Sequence, residues 1–376
     1  MSRGAVKDSF APDGANALSP IFPRPLAVAT LCRRYAAEPE IRITFNYMLK
    51  ILLVGPIPPP HGGVSVHVVT LQSLLLKAGI PCRVLNISPG AIRGPLHFMI
   101  LLLRHSLKGW SFHVHINGHN AKSWLVALAA GLAGVIGRGA MLTIHSGMSP
   151  AYLNDRRGRQ LLAWTTCRFY RQIIAVNSEI KYVLRSLSVP EARVEILPAF
   201  LPTPAALPEL PADFTSWSRA HHPVIATALF FRPEYGFDLL VAAVSELRKK
   251  HPRLGCVVMG DSESRPAGLP QHMLAIGDLA HESCLAVVAR SDLFIRATLS
   301  DGDAISVREA IALGTPVVAS DVVSRPAGTV CFRTGDASDL AEKIESVLAE
   351  GVPHPAVSSQ PEGNAIQRLL ELYGTQ

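Results

Sequence analysis

The chain has 376 residues, 48% of them apolar and only 17% charged, and its 36 Lys and Arg against 29 Asp and Glu leave a formal net charge of +7. That length suits two domains of ordinary size around large cores, and the basic excess favours an anionic partner such as a nucleotide or a membrane surface. Cys32, Cys82, Cys167, Cys256, Cys284 and Cys331 are scattered without a Cys-x-x-Cys pair, as expected of buried reduced thiols in a cytosolic protein and not of a disulfide or zinc scaffold; no nucleic-acid motif is present, and the longest apolar run, Trp124–Ile136, is too short to span a bilayer.

Residues 1–47 hold Pro, Ser, Ala and Arg without a sustained period and are expected to be a disordered or mis-called extension. Leu26–Cys32 is too short and Pro-flanked for a signal peptide, and Met48 reads as a natural beginning because a strand, Ile51–Val54, follows it directly. After that strand, Gly62-Gly63 stands just before a helix expected at Val64–Ala78. The pair either lets backbone N–H groups approach an anion closely or is an ordinary strand–helix turn. Arg83–Ile87 reads as the second strand. Leu96–Leu103, flanked by Arg93, Arg104, His105 and Lys108, reads as a core helix with solvated ends or as a cationic-apolar surface lying on anionic lipid. Phe112–His119 is a strand with His113 and His115 on one face, and two imidazoles without a third ligand or a carboxylate are weak evidence for metal. Ala121–Ile136 is apolar enough to be a buried helix. Ala140–His145 places His145 at the carboxyl end of a strand, where ligands bind in open α/β sheets. Ile173–Asn177 and Val194–Pro198 are the last strands of the first half, and a proline-rich stretch leads into a linker at 206–222.

The second half opens with a strand at Pro223–Leu229 and a helix at Leu239–Lys250. Strands at Cys256–Gly260 and His272–Ile276, a helix at Glu282–Ala289 and a strand at Asp292–Ala297 follow. Leu299–Asp321, LSDGDAISVREAIALGTPVVASD, reads as loop, helix, turn and strand. Gly302 allows a tight turn, Asp301, Asp303 and Ser306 are good N-capping residues, and Gly314 with Thr315-Pro316 stops the helix. Such a unit aims a helix N-terminus at the carboxyl edge of a parallel sheet, a ready site for phosphate. Read alone, Ser306-x-x-Glu309 also fits a capping box, and Asp301-Gly-Asp303 fits plain turn chemistry or an Asp-x-Asp metal site. Ala337–Glu350 and Ile366–Tyr373 complete the chain as helices.

The run from Asp301 to Asp321 resembles the acidic signature of retaining family-4 glycosyltransferases of the GT-B fold: Glu, seven residues, Glu, then Ala-hydrophobic-Ala-x-Gly-x-Pro-Val-Val-Ala. Glu309 matches the second acid and Asp301 stands for the first. The resemblance covers residues 48–376. It implies an α/β, GT-B architecture of two Rossmann-like, doubly wound parallel-sheet domains, 48–205 and 223–357, facing a central cleft, with 358–376 returning to the first domain. It implies transfer of a sugar from a nucleoside-diphosphate sugar, UDP- or GDP-linked, to a hydroxyl of a glycan or lipid-linked acceptor, with retention and with neither metal nor cofactor. Envelope or exopolysaccharide assembly, on the cytoplasmic side and in peripheral contact with anionic membrane, follows by analogy.

Carried over residue by residue, the resemblance puts Gly62 and Gly63 against the donor diphosphate, His145 and Asp301 beside the donor sugar, the backbone of Gly302, Asp303, Ala304 and Ile305 on the diphosphate, and Glu309 on the nucleotide ribose. One segment departs. Aligned on Gly236 and Asp238, the chain has Phe230 and Tyr235 where the family has the Arg and Lys that neutralise the diphosphate. Leaving-group charge must be neutralised by something. Arg232 is the expected substitute, with Arg296 and Arg308 as others; the alternative is a catalytically degenerate nucleotide- or lipid-binding protein of the same fold.

Overall fold

The structure, a computed structural model, describes residues 49–59, 62–198, 206–260, 266, 268–350 and 361–374. The expected extension at 1–47, the Met48 start, Cys32 and most of the proline-rich stretch lie outside these residues, as does the beginning of the C-terminal segment.

The first half forms a six-stranded sheet from β1 (Ile51–Gly55), β2 (Cys82–Asn86), β3 (Ser111–Ile116), β4 (Ala140–Ile144), β5 (Gln172–Ala175) and β6 (Val194–Ile196), in the order β2-β1-β3-β4-β5-β6 with every pair parallel. Its connections run through α1 (Gly63–Lys77), α2 (Pro95–Leu107), α3 (Ala121–Ile136), α4 (Ser149–Asp155), α5 (Arg157–Cys167) and α6 (Ser178–Ser186). Parallel strands covered on both faces read as unbroken apolar runs, and β1 and β4 are buried along their whole length. Alternation divides the two cores. Leu52 and Val54 pack with Phe112, Val114 and Trp124, whereas Ile51 and Leu53 pack with Val68, Leu71 and Leu75 of α1.

The second half contributes α7 (Ala212–Ser218), β7 (Val224–Leu229), α8 (Phe237–Leu247), β8 (Gly255–Gly260), β9 (Met273–Gly277), α9 (His281–Arg290), β10 (Leu293–Arg296), α10 (Ile305–Ala312), β11 (Val317–Ser320), β12 (Thr329–Phe332) and α11 (Ala337–Glu350). Its sheet, also parallel throughout, has the order β12-β11-β10-β7-β8-β9. Strand order reverses between β1 and β3 in one sheet and between β7 and β10 in the other. Crevices outside the carboxyl ends of strands at such reversals are where open α/β sheets bind ligands. The last helix, α12 (Pro361–Gly374), packs on the first sheet beside α1 through Leu369, Leu370 and Tyr373, and Arg368 pairs with Glu195 at 2.6 Å.

Four expectations change. The helix α7 falls inside the segment read as linker 206–222, and its Phe214 is 1% exposed in the second sheet's core, so that part belongs to the second domain. The α3 helix is buried on one face only: Trp124, Ala127 and Ala130 are covered, while Leu125, Leu132, Val135 and Ile136 face outward. Sequence hydrophobicity counts apolar residues but does not reveal that one face has no neighbour. β12, a half-exposed edge strand, and the short helices α4 to α6 carry patterns too brief to read. The thiols are not uniformly buried either. Burial pushes Cys82, Cys167, Cys256 and Cys284 up to about 12, but Cys331 is exposed.

Because Leu369 fills the space between α12 and the first sheet, Leu369→Ala is expected to cost roughly 2–5 kcal/mol of stability, read from urea unfolding. A loss near zero would show that α12 is not docked there.

Candidate active site

Two helices begin at the facing carboxyl edges. On the first sheet the loop after β1 ends at Gly62, whose N–H donates to Ser65 Oγ (3.0 Å), and α1 starts with no acidic residue in its first turn. On the second sheet α10 starts after Ala304, with no side-chain cap and no acid in its first turn. The two starts meet: Ile305 packs on Val66, and its Cδ1 lies 3.9 Å from where a Cβ on Gly63 would stand. Each first turn directs N–H groups without intrahelical partners, and the positive end of a helix dipole, into the same space. The capping expectation is thereby corrected. Neither Asp301, Asp303 nor Ser306 caps α10, and Ser306-x-x-Glu309 is no capping box because Ser306 already lies within the helix.

The acids are held elsewhere. Arg296 donates to both oxygens of Asp301 (3.1 and 3.2 Å), and Arg325 and Thr298 donate to Oδ2 at 2.8 and 3.1 Å. Burial alone would raise the Asp301 pKa, but Arg296 and Arg325 hold it well below the usual carboxylate range. The Nε of Arg308 donates to both oxygens of Asp303 at 3.0 Å. The Asp301 carboxylate, expected beside the donor sugar, is enclosed by guanidiniums, and both carboxylates of Asp301-Gly-Asp303 are paired with arginine. Arg325 went unnoticed in the sequence, where only its place in a loop after a strand marked it.

The missing basic pair has become an aromatic shelf. Phe230 and Tyr235 meet edge to face with centroids 5.5 Å apart, and Phe230 Cζ lies 3.6 Å from where a Cβ on Gly62 would stand. Arg232 lies 5.3 Å from the Phe230 ring centroid and Arg296 lies 5.2 Å from that of Tyr235, both within cation–π range. Arg296 and Arg308 are committed to aspartates, whereas Arg232 is exposed. His119, at the end of the β3 loop, senses Arg232: burial chiefly lowers its pKa, Arg232 lowers it further and Glu234 opposes both.

The sheets touch through backbone at two glycines. A Cβ on Gly302 would lie 2.0 Å from the His145 carbonyl oxygen, and one on Gly147 would lie 1.4 Å from that of Asp301. Asn177 Nδ2 donates to Gly302 O at 2.8 Å across the same seam. His145 therefore stands at the junction, its Nε2 3.1 Å from His115 Nδ1. Burial, with neighbouring His67 and His113, holds its pKa well below the ordinary value. Glu309 is 8% exposed. His281 Nε2 lies 2.9 Å from its Oε1, yet that oxygen lacks a directed hydrogen bond. His281, a sequence-distant partner, was also missed; burial opposes its protonation, but Glu309 raises its pKa overall.

Against known proteins, residues 222–350 match the family model described as glycosyl transferases group 1. The chain is 31% identical over 144 residues to the phosphatidyl-myo-inositol mannosyltransferase of Propionibacterium freudenreichii subsp. shermanii, an alignment covering 36% of this chain and 37% of that protein. It is 23% identical over 259 residues to the phosphatidylinositol N-acetylglucosaminyltransferase gpi3 subunit of Schizosaccharomyces pombe, covering 64% of this chain and 54% of that one. The matched stretches thus span between a third and just over a half of these curated relatives. Among solved structures, Anabaena HepE in complex with UDP-glucose superposes with a TM-score of 0.67 at 15% identity, over 87% of this chain and 100% of that chain. The fold is the two-domain GT-B fold, and the group 1 glycosyltransferase match falls within its second half.

Gly147→Ala is expected to prise the two loops apart, since backbone cannot yield to a Cβ at 1.4 Å. Small-angle scattering should report a larger radius of gyration with unchanged helix content. An unchanged radius would show that the seam is not fixed at this residue.

Proposed function

We propose that the chain is a retaining glycosyltransferase that needs no metal and moves a sugar from a nucleoside-diphosphate sugar to an acceptor hydroxyl. The observation that carries this reading is the meeting of two helix N-termini, α1 and α10, across the seam, neither with an acid in its first turn. A pyrophosphate between them receives backbone N–H groups from both sides and two positive dipole ends. Gly62 and Gly63 allow close approach on one side; Gly302, Asp303, Ala304 and Ile305 line the other. Glu309 offers a buried acceptor oxygen to the ribose hydroxyls. Arg232, held over Phe230, neutralises charge on the departing nucleoside diphosphate. His145 hydrogen-bonds the donor sugar near the reacting carbon. Closure of the seam keeps water from the activated sugar.

Asp301 takes a positioning part: it gathers Arg296 and Arg325 and so shapes the loop before α10. UDP is the favoured nucleotide, because HepE is similar in fold and was solved with UDP-glucose. The rival is a degenerate binding protein, favoured by the exchange of a basic pair for Phe230 and Tyr235.

The acceptor belongs on a lipid, in envelope or exopolysaccharide assembly. Both curated relatives carry phosphatidylinositol in their names, and the first domain has a face suited to anionic membrane. α2 and α3 lie side by side with Leu96 (75% exposed), Ile100, Leu107 (79%), Leu125, Val135 and Ile136 outward. Exposed Arg93, Arg104, Lys108, Lys122 and Arg138 accompany them. From residue 41 to residue 154 there is no Asp or Glu against nine Lys and Arg, more than the whole chain's surplus of +7. Each cation near an anionic surface adds about 1 kcal/mol. None of the described helices is long and apolar enough to cross a membrane, so the contact is peripheral.

In a thermal-shift panel of UDP, GDP, ADP and their sugar conjugates with EDTA present, one nucleoside diphosphate should stabilise the protein. At about 100 times its dissociation constant the gain is roughly 2.7 kcal/mol. Glu309→Ala should remove that shift without unfolding the chain, and Arg232→Ala should slow transfer by roughly 2–4 kcal/mol of barrier. Binding without turnover would establish the degenerate reading. Co-sedimentation with phosphatidylglycerol vesicles should fall with salt and with Leu107→Asp; equal binding to neutral phosphatidylcholine vesicles would refute the electrostatic contact.

A further inference from the structure

The first domain holds a cluster of imidazoles of which the transfer reading employs only His145. His113 and His115 project from one face of β3, His145 follows β4, and His67 comes from α1. Of the pair on β3, read from sequence as lacking a third ligand, His115 is joined by residues from two other elements. One ring nitrogen from each of His67, His115 and His145 lies within 4.8 Å of the other two. The His67 ring centroid stands 5.5 Å from that of His115 and 5.3 Å from that of His145. His113 is set apart, because both its nitrogens are engaged, one with Thr143 Oγ1 at 2.7 Å and the other with the Tyr373 hydroxyl.

His115 is the informative member. It is wholly buried; its Nδ1 shares one hydrogen with His145 Nε2 over 3.1 Å, and its Nε2 has no hydrogen-bond partner. A neutral imidazole has one donor and one acceptor nitrogen. If His115 donates the shared hydrogen, a buried lone pair is left empty; if His145 donates it, a buried N–H is left without an acceptor. Native interiors avoid both. A cation that accepts a lone pair from His115 removes the defect. Beside the cluster a cavity of about 10 Å³ is lined by His67, His113, Thr143 and His145, about the room one water needs.

We propose that His67, His115 and His145 form a binding site for one divalent first-row transition-metal ion of the zinc type, with water as the fourth ligand. Three neutral nitrogens suit zinc, cobalt, nickel or copper and not magnesium or calcium, which take oxygen ligands. Around a tetrahedral ion with bonds of about 2.0–2.1 Å the nitrogens stand about 3.4 Å apart, so each nitrogen–nitrogen gap closes by about 1.4 Å at most. One consequence rests on the transferase reading: a bound ion withdraws His145 from the donor sugar and so restrains transfer. The site itself does not rest on that reading.

The test uses the full chain, stripped with chelator and titrated with Co²⁺. One equivalent should produce the intense visible bands of four-coordinate cobalt, bleached by one equivalent of Zn²⁺. His67→Gln and His115→Gln should each abolish the bands, while His222→Gln, an exposed residue of the other domain, should keep them. X-ray absorption of the zinc-loaded wild type should show imidazole scattering, which holds whether or not the variants fold. Bands unchanged in folded His115→Gln, only the pale spectrum of six-coordinate cobalt, or a zinc spectrum without imidazole would each overturn the site. None of these readouts involves turnover, so failure of the transferase reading would leave them standing.

Discussion

At Gly302 and Gly147 the two domains approach through main chain alone, and no side chain fits between them. That distance governs the rest of the seam. With a backbone-to-backbone approach fixed there, Asn177 reaches the Gly302 carbonyl, Ile305 reaches Val66, and Phe230 reaches Gly62. Helix starts that would otherwise look into open solvent look at each other instead. Two sheets that each reverse strand order at their middle supply the crevices, and the glycines bring the crevices together.

Charge is organised on the same plan. Each aspartate of the loop before α10 is matched by arginine: Asp301 by Arg296 and Arg325, Asp303 by Arg308. The loop's acids are thereby neutralised by arginine near a helix N-terminus, where free carboxylates would compete with a bound anion. The exchange of a basic pair for Phe230 and Tyr235 is not a simple loss of charge, since a guanidinium rests near each ring. The aromatic faces set where those cations stand.

Much of this was legible in sequence because the signals were local. Continuous apolar strands, Gly62-Gly63 before a helix and the Glu309–Asp321 run each state their structure within a dozen residues. What was not legible depended on partners far along the chain. Nothing near Asp301 announces Arg325, nothing near Glu309 announces His281, and the four imidazoles converge from three elements. The capping assignment failed for a different reason: local propensity favoured Asp and Ser as caps, but Arg296 and Arg308, five residues away, took the acids with Arg325, and Ser306 lies inside the helix. For α3 the sequence was silent on orientation, because a helix apolar all round gives no hint of which face a neighbour will leave bare.

The segregation of charge along the chain also bears on how the molecule meets its surroundings. With the cations of residues 41–154 unrelieved by any acid and the remainder slightly negative on balance, the protein is an electric dipole as well as a net cation. In the field of a negatively charged surface such a body turns before it touches. On the membrane contact proposed above, the first domain would lead with α2 and α3 foremost, and the domain carrying the group 1 match would trail on the solvent side. Orientation is then settled during approach, within a distance that shrinks as ionic strength rises.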